Sequence, residues 1–190
     1  MRIRVVSILM TLIFLSACAS TPAAVREGAA EVPSTFEVED YRLGPGDRVR
    51  LSIFNEPELS GDFAVDGSGS VALPLIGEVK ARGMTVREFE GAVETAFLDG
   101  YLKDPRVSAE VVSYRPFYIL GEVKRPGTYP YQNGLTVLNA VATAEGFTYR
   151  ARKGVVFIRR AGATEELKFP LTSSTPVMPG DTIRIEERYF

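Results

Sequence analysis

The chain has 190 residues, 22 of them basic and 24 acidic, for a formal net charge of −2. That balance argues against a nucleic-acid ligand, which is usually met by a basic stripe. With no histidine and a single cysteine, Ser-His-Asp and Cys-His catalysis, imidazole general bases and most zinc sites are removed as well.

Arg2 and Arg4 form a short basic segment, and Val5 to Leu15, broken only by Ser7 and Thr11, form an apolar one. Leu15-Ser16-Ala17-Cys18 then supplies a small-residue cleavage site with a cysteine directly after it. The apolar run is shorter than the roughly 20 residues a membrane span needs. The pattern reads as a lipobox: residues 1–17 are a signal peptide, and Cys18 carries the lipid. An ordinary secretory signal is the weaker reading, because Cys18 has no second cysteine to pair with. Ser20 stands where an aspartate would suggest inner-membrane retention, so the outer membrane is expected. Cleavage would leave 173 residues, with 20 basic against 24 acidic for a net −4, enough for one or two small domains. Residues 18–36 lack periodicity and read as a flexible tether with a reach of about 20–25 Å.

The folded part is expected from about Glu37. Val49, Leu51 and Ile53 alternate with Arg48, Arg50 and Ser52, the pattern of a half-buried strand. Phe63 to Leu73 reads as a hairpin around Asp66-Gly67-Ser68-Gly69, and Leu75–Val79 as a short strand. Thr85 with Glu88 makes a capping box, and Met84 with Phe89 a hydrophobic staple. The helix they open places Val86, Phe89, Val93, Ala96 and Phe97 on one face and stops at Asp99-Gly100. Val107, Ala109 and Val111 alternate as another strand. A second unit follows, with strands at Phe117–Gly121, Val155–Arg159 and Ile183–Glu187 and a helix over Thr136–Glu145. Counting back by twos from Phe190 gives Arg188, Glu186 and Arg184, which excludes a lipid-facing barrel strand there. The fold class is α+β, two small mixed domains.

Two internal echoes link the halves. Pro45-Gly46-Asp47 before a strand recurs as Pro179-Gly180-Asp181. Ile76-Gly77-Glu78-Val79-Lys80 before a threonine-capped helix recurs as Leu120-Gly121-Glu122-Val123-Lys124.

Tyr41-Arg42-Leu43-Gly44-Pro45-Gly46-Asp47, with Asp66-Gly67 ahead of Val71-Ala72-Leu73-Pro74-Leu75-Ile76-Gly77-Glu78-Val79, resembles the polysaccharide export domain of bacterial outer-membrane export lipoproteins. Arg115-Pro116-Phe117-Tyr118-Ile119-Leu120-Gly121-Glu122-Val123-Lys124-Arg125-Pro126-Gly127-Thr128-Tyr129, followed by Leu135-Thr136-Val137-Leu138-Asn139-Ala140, is similar to the opening of the soluble-ligand-binding β-grasp (SLBB) domain that comes next in that family. The resemblance implies an export domain over 37–113 and a β-grasp-like domain over 114–190. Long members carry a C-terminal pore helix. Only Glu186 to Phe190 follow the last strand's apolar pair here, so the expectation is a short form without that helix.

Few residues suggest chemistry. Glu56, Glu58 and Asp62 read as a solvated loop before a glycosidase pair, and Asp66, Ser68 and Ser70 as a hairpin tip before a calcium site. Tyr114, Phe117, Tyr118, Tyr129 and Tyr131 gather with Arg115, Lys124 and Arg125, a combination suited to sugar stacking and anionic contacts. Against that stands a core-and-rim reading, since a strand buries every second side chain. Candidate ligand or subunit contacts are therefore Arg115, Tyr118, Glu122, Lys124, Arg125 and Tyr129, with no catalytic residue, cofactor or metal.

The expected function is a lipid-anchored, periplasm-facing component of a capsule or exopolysaccharide export translocon, part of a ring-like conduit. Its expected partners are further copies of itself, the polysaccharide, an inner-membrane polysaccharide co-polymerase and a separate outer-membrane barrel or pore protein. Alternatives are a monomeric periplasmic carbohydrate-binding or envelope structural lipoprotein and, last, a carboxylate-based carbohydrate enzyme.

Overall fold

The computed structural model describes residues 41–188. The signal peptide, Cys18, the tether, the start at Glu37 and the terminal Tyr189-Phe190 lie outside the described residues.

Alternation builds the first sheet. β1 (Arg48–Ile53) buries Val49, Leu51 and Ile53 and pairs antiparallel with β2 (Gly61–Ala64) and β5 (Val107–Ser113), in the order β2-β1-β5. Its exposed face is tied by charge: Arg50 donates to Asp62 at 2.7 Å and to Glu110 at 3.2 Å, one on each neighbouring strand. The capping box forms as expected. Thr85 accepts from the Glu88 N–H, and the Glu88 carboxylate accepts from the Thr85 N–H at 2.7 Å. α1 (Val86–Leu98) then buries Phe89, Val93 and Phe97. Glu90 and Glu94 of α1 accept the Ala109 and Val107 N–H groups at 2.6 and 2.9 Å, satisfying donors that β1 leaves unbonded. An open strand edge invites pairing with another chain; here a helix closes part of it.

Two expectations are corrected. The Asp66 turn forms, but its flanks part: β2 pairs with β1, whereas β3 (Ser70–Leu73) pairs with β4 (Gly77–Lys80). The flanks are joined at the turn itself by the Val65–Val71 bridge and by the Asp66 N–H on the Ser70 carbonyl at 2.9 Å, and part beyond it. The reason is that Val65 is already held by the Pro-Gly-Asp turn, with its N–H on the Asp47 carbonyl and its carbonyl on the Gly46 N–H. Leu75 is not in a strand but in a tight turn at φ 68°, so β4 begins only at Gly77.

The second sheet has five strands in the order β7-β6-β10-β8-β9. β6 (Phe117–Gly121) and β8 (Val155–Arg159) form as expected, and β10 (Thr182–Ile185) runs parallel to β6 and antiparallel to β8. β7 (Gly127–Tyr129) and β9 (Leu167–Pro170) are edge strands that sequence patterning did not show. α2 (Val137–Thr143), capped by Thr136, adds Val137, Ala140 and Val141 to the core beneath this sheet.

Two apolar clusters result, one built on Leu43, Leu51, Phe89 and Phe97 and the other on Phe117, Ile119, Ile158 and Ile183. Tyr114 packs against both. Its ring meets Tyr41 edge-on at 4.9 Å and Tyr131 at 5.4 Å, so an aromatic chain runs from one core to the other.

The first echo is structural. Gly46 and Gly180 both take positive φ, at 92° and 81°. Asp47 accepts from the Gly44 N–H at 2.8 Å, and Asp181 from the Met178 N–H at 2.7 Å, each closing the turn that feeds β1 or β10. The second echo is not: Gly77 opens a strand and Gly121 ends one, and β7 intervenes before the second helix.

Candidate functional site

Both aspartates of the repeated turn are fully buried. Asp47 accepts from the Tyr41 hydroxyl at 2.6 Å, from the Arg115 backbone N–H at 2.8 Å and from the Arg115 guanidinium at 3.1 Å. Burial first, and then the bond to Asp47, push the Tyr41 phenol well above its ordinary value. Arg115 also donates its Nε–H to the Pro179 carbonyl at 3.1 Å and lies over the Tyr41 ring at 5.5 Å. One guanidinium therefore joins both Pro-Gly-Asp turns. Glycine makes room for it: a Cβ on Gly44 would lie 2.3 Å from an Arg115 nitrogen, and one on Gly180 2.8 Å from its Nε.

Asp181 is the less satisfied of the pair. Oδ2 takes the Met178 N–H and the Arg160 guanidinium, while Oδ1 is buried without a hydrogen-bond partner among the described residues. Burial raises the carboxyl to about 6 against the pull of Arg160. In this case the folded state binds more protons than the unfolded chain between about pH 4 and 6, so this group's contribution falls as pH rises through that window. Its size is at most about 3 kcal/mol. Asp66 and Glu166 act in the opposite sense, held low by hydrogen bonds, chiefly from Ser68 and Arg184 respectively, and lose stabilisation as acid protonates them. Thermal midpoints should therefore be higher at pH 5.5 than at 7.5. Asp181→Asn should flatten that difference; an unchanged slope in the variant would assign the pH dependence elsewhere.

The expected contact residues separate in space. Arg115 is committed to the junction, and Tyr118 projects outward, 44% exposed, beside it. Glu122 accepts from the Thr148 hydroxyl and lies half-buried behind β6. Lys124 is exposed with its N–H on the Gly146 carbonyl. Arg125 pairs with Glu145 at 2.9 Å, and the Tyr129 hydroxyl donates to the Arg125 carbonyl at 2.7 Å while its ring stacks on Phe117. Arg115 and Tyr118 share a cavity. It is a cleft of about 540 Å³ walled by Arg42, Arg82, Gly83, Gly162 and Gly180, among others. Arg42 and Arg82 escaped sequence reading because each sits at a junction without periodicity. Asp47 had a signal, the repeated Pro-Gly-Asp. Asp66 spends one oxygen on the N–H groups of Ser68, Gly69 and Ser70. Among the described residues no group of three or more Cys, Asp or Glu gathers as a metal site.

The polysaccharide biosynthesis/export family model matches residues 37–112, and the SLBB domain model matches residues 116–168. The chain carries a polysaccharide biosynthesis/export domain followed by an SLBB domain. The names of the matched export domain and of the relatives below concern polysaccharide production, export and transport. The exopolysaccharide production protein ExoF of Rhizobium meliloti (strain 1021) is 40% identical over 143 residues, covering 69% of this chain and 34% of ExoF. The EPS I polysaccharide export outer membrane protein EpsA of Ralstonia solanacearum is 27% identical over 210 residues, covering 88% of this chain and 55% of EpsA. The polysialic acid transport protein KpsD of Escherichia coli is 28% identical over 109 residues, covering 56% of this chain and 20% of KpsD. The chain thus spans between a fifth and just over half the length of these relatives.

Proposed function

We propose that this protein is a lipid-anchored, periplasm-facing component of a translocon that exports capsule or exopolysaccharide across the outer membrane. The observation that carries the reading is the export domain and the SLBB domain matched in series along one chain. On this reading residues 1–17 are cleaved, Cys18 is acylated, residues 18–36 tether the body, and domains 37–113 and 114–190 form part of a ring of identical subunits. Stable attachment takes two or more acyl chains, since one binds only marginally. A repeated unit with heterologous faces closes into a ring. The polymer, an inner-membrane co-polymerase and a separate pore protein complete the assembly.

The test is made in membranes. Wild-type protein should take up radiolabelled palmitate and Cys18→Ala should not, and chemical cross-linking should give a ladder of multiples. No palmitate in the wild type would overturn the anchor. A clean monomer in mild detergent, well above micromolar, would overturn the ring in favour of a monomeric envelope lipoprotein.

A further inference from the structure

We propose that the cleft between the two apolar cores binds an acid-bearing sugar residue, a uronate or its equivalent, of the exported chain. This deepens the export reading and rests on it. The cleft's volume, about 540 Å³, falls in the range of small-ligand sites, roughly 300–1,000 Å³. Among the described residues three arginines (Arg42, Arg82 and Arg115) line it and no carboxylate does, in a chain whose net charge is −2.

The charges are not equally available. Arg115 is neutralised by Asp47 and fixed by Pro179, so it shapes the wall and does not recruit ligand. Arg42 holds the Gly83 carbonyl at 2.7 Å and pairs with Glu88 at 3.4 Å on an exposed rim, an interaction weak in water. Arg82 is exposed, and its guanidinium has no hydrogen bond or ion pair among the described residues. It is nonetheless held in place. Its N–H and that of Ala81 both donate to the Gly69 carbonyl, at 2.8 and 2.9 Å. Its Cβ packs so closely that a Cβ on Gly69 would lie 2.4 Å from it. A guanidinium on a fixed stem, free at its head, is suited to a bidentate grip on a carboxylate.

The rest of the cleft fits a sugar ring. The exposed Tyr118 offers an aromatic face for C–H stacking. Gly83 and Gly162 open onto empty space, with nothing within 4 Å of a built Cβ, so a pyranose can approach the backbone there. Small ligands are oriented by a few polar groups on a largely apolar wall, and this wall has that form.

Titration calorimetry on the purified full chain, with hexagalacturonate and the neutral maltohexaose as probes, tests the proposal. Hexagalacturonate should bind at least tenfold more tightly than maltohexaose. Arg82→Glu and Tyr118→Ala should each weaken it at least tenfold, Arg82→Lys by less, and Lys103→Glu, at an exposed position outside the cleft lining, not at all. Arg82 and Tyr118 are exposed, so unchanged melting curves should accompany these losses. Equal binding of both probes, no binding of either at millimolar concentration, or wild-type affinity in Arg82→Glu would overturn the inference. Any of these results combined with export lost on gene deletion would leave the export reading standing. If export survived deletion, that reading would fall by itself, whatever the titrations gave.

Discussion

Arg115→Ala should destabilise the protein by about 3–5 kcal/mol, the loss expected when one partner of a buried ion pair is removed and the other charge stays buried. Asp47 is fully buried, and its remaining donors, Tyr41, the Gly44 N–H and the backbone N–H of residue 115, are neutral. The loss also opens the space that Gly44 and Gly180 leave for the guanidinium and removes the bond to Pro179. Arg115→Lys should recover part of the charge term and none of the forked geometry. Its midpoint in urea should fall between those of wild type and alanine. A loss below about 1 kcal/mol in Arg115→Ala would mean that the junction is held by the Tyr41–Tyr114–Tyr131 stack instead.

Gly121→Ala should be comparably damaging, for a steric reason. A Cβ there would lie 2.0 Å from the Ile185 carbonyl oxygen, a backbone atom with no rotamer to escape into, and φ is 86°. The strain of positive φ, about 1–2 kcal/mol, adds to overpacking of about 1–3 kcal/mol. The clash falls where β6 and β10 lie in parallel register and Glu122 donates its N–H to that same carbonyl at 3.0 Å. Gly77 is its echo in the sequence and the natural control. It has φ 73° with nothing within 4 Å of a built Cβ, so Gly77→Ala should show only the smaller strain. Equal losses at the two positions, by chemical denaturation, would contradict this account of the C-terminal sheet.

That pair also shows where sequence reading stops. Identical Gly-Glu-Val-Lys runs end in different environments because strand partners, not local residues, decide them. Patterns with a buried face were legible: β1, β6 and β8 by their apolar runs, and α1 by its capping box. β7 and β9 were not, since an exposed edge strand need not alternate, as at Leu167–Pro170 with only Phe169 buried. At the site, Arg115 and Tyr118 were named from their neighbours in sequence. Arg82 was not, because its place depends on the contact with Gly69, thirteen residues upstream in the chain. Nor was it visible that Arg115 would be drawn inward by a buried carboxylate 68 positions away.

The central claim is that this protein governs where the polymer goes and not whether it is made. Pulse-chase labelling with a radioactive sugar precursor, in a strain depleted of the protein and lacking paralogues, tests it most directly. Lipid-linked repeat units should still acquire label, while label in surface and secreted polysaccharide drops at least tenfold and is restored by the wild-type gene. Undiminished extracellular polymer, or a halt in lipid-linked synthesis from the outset, would contradict the account.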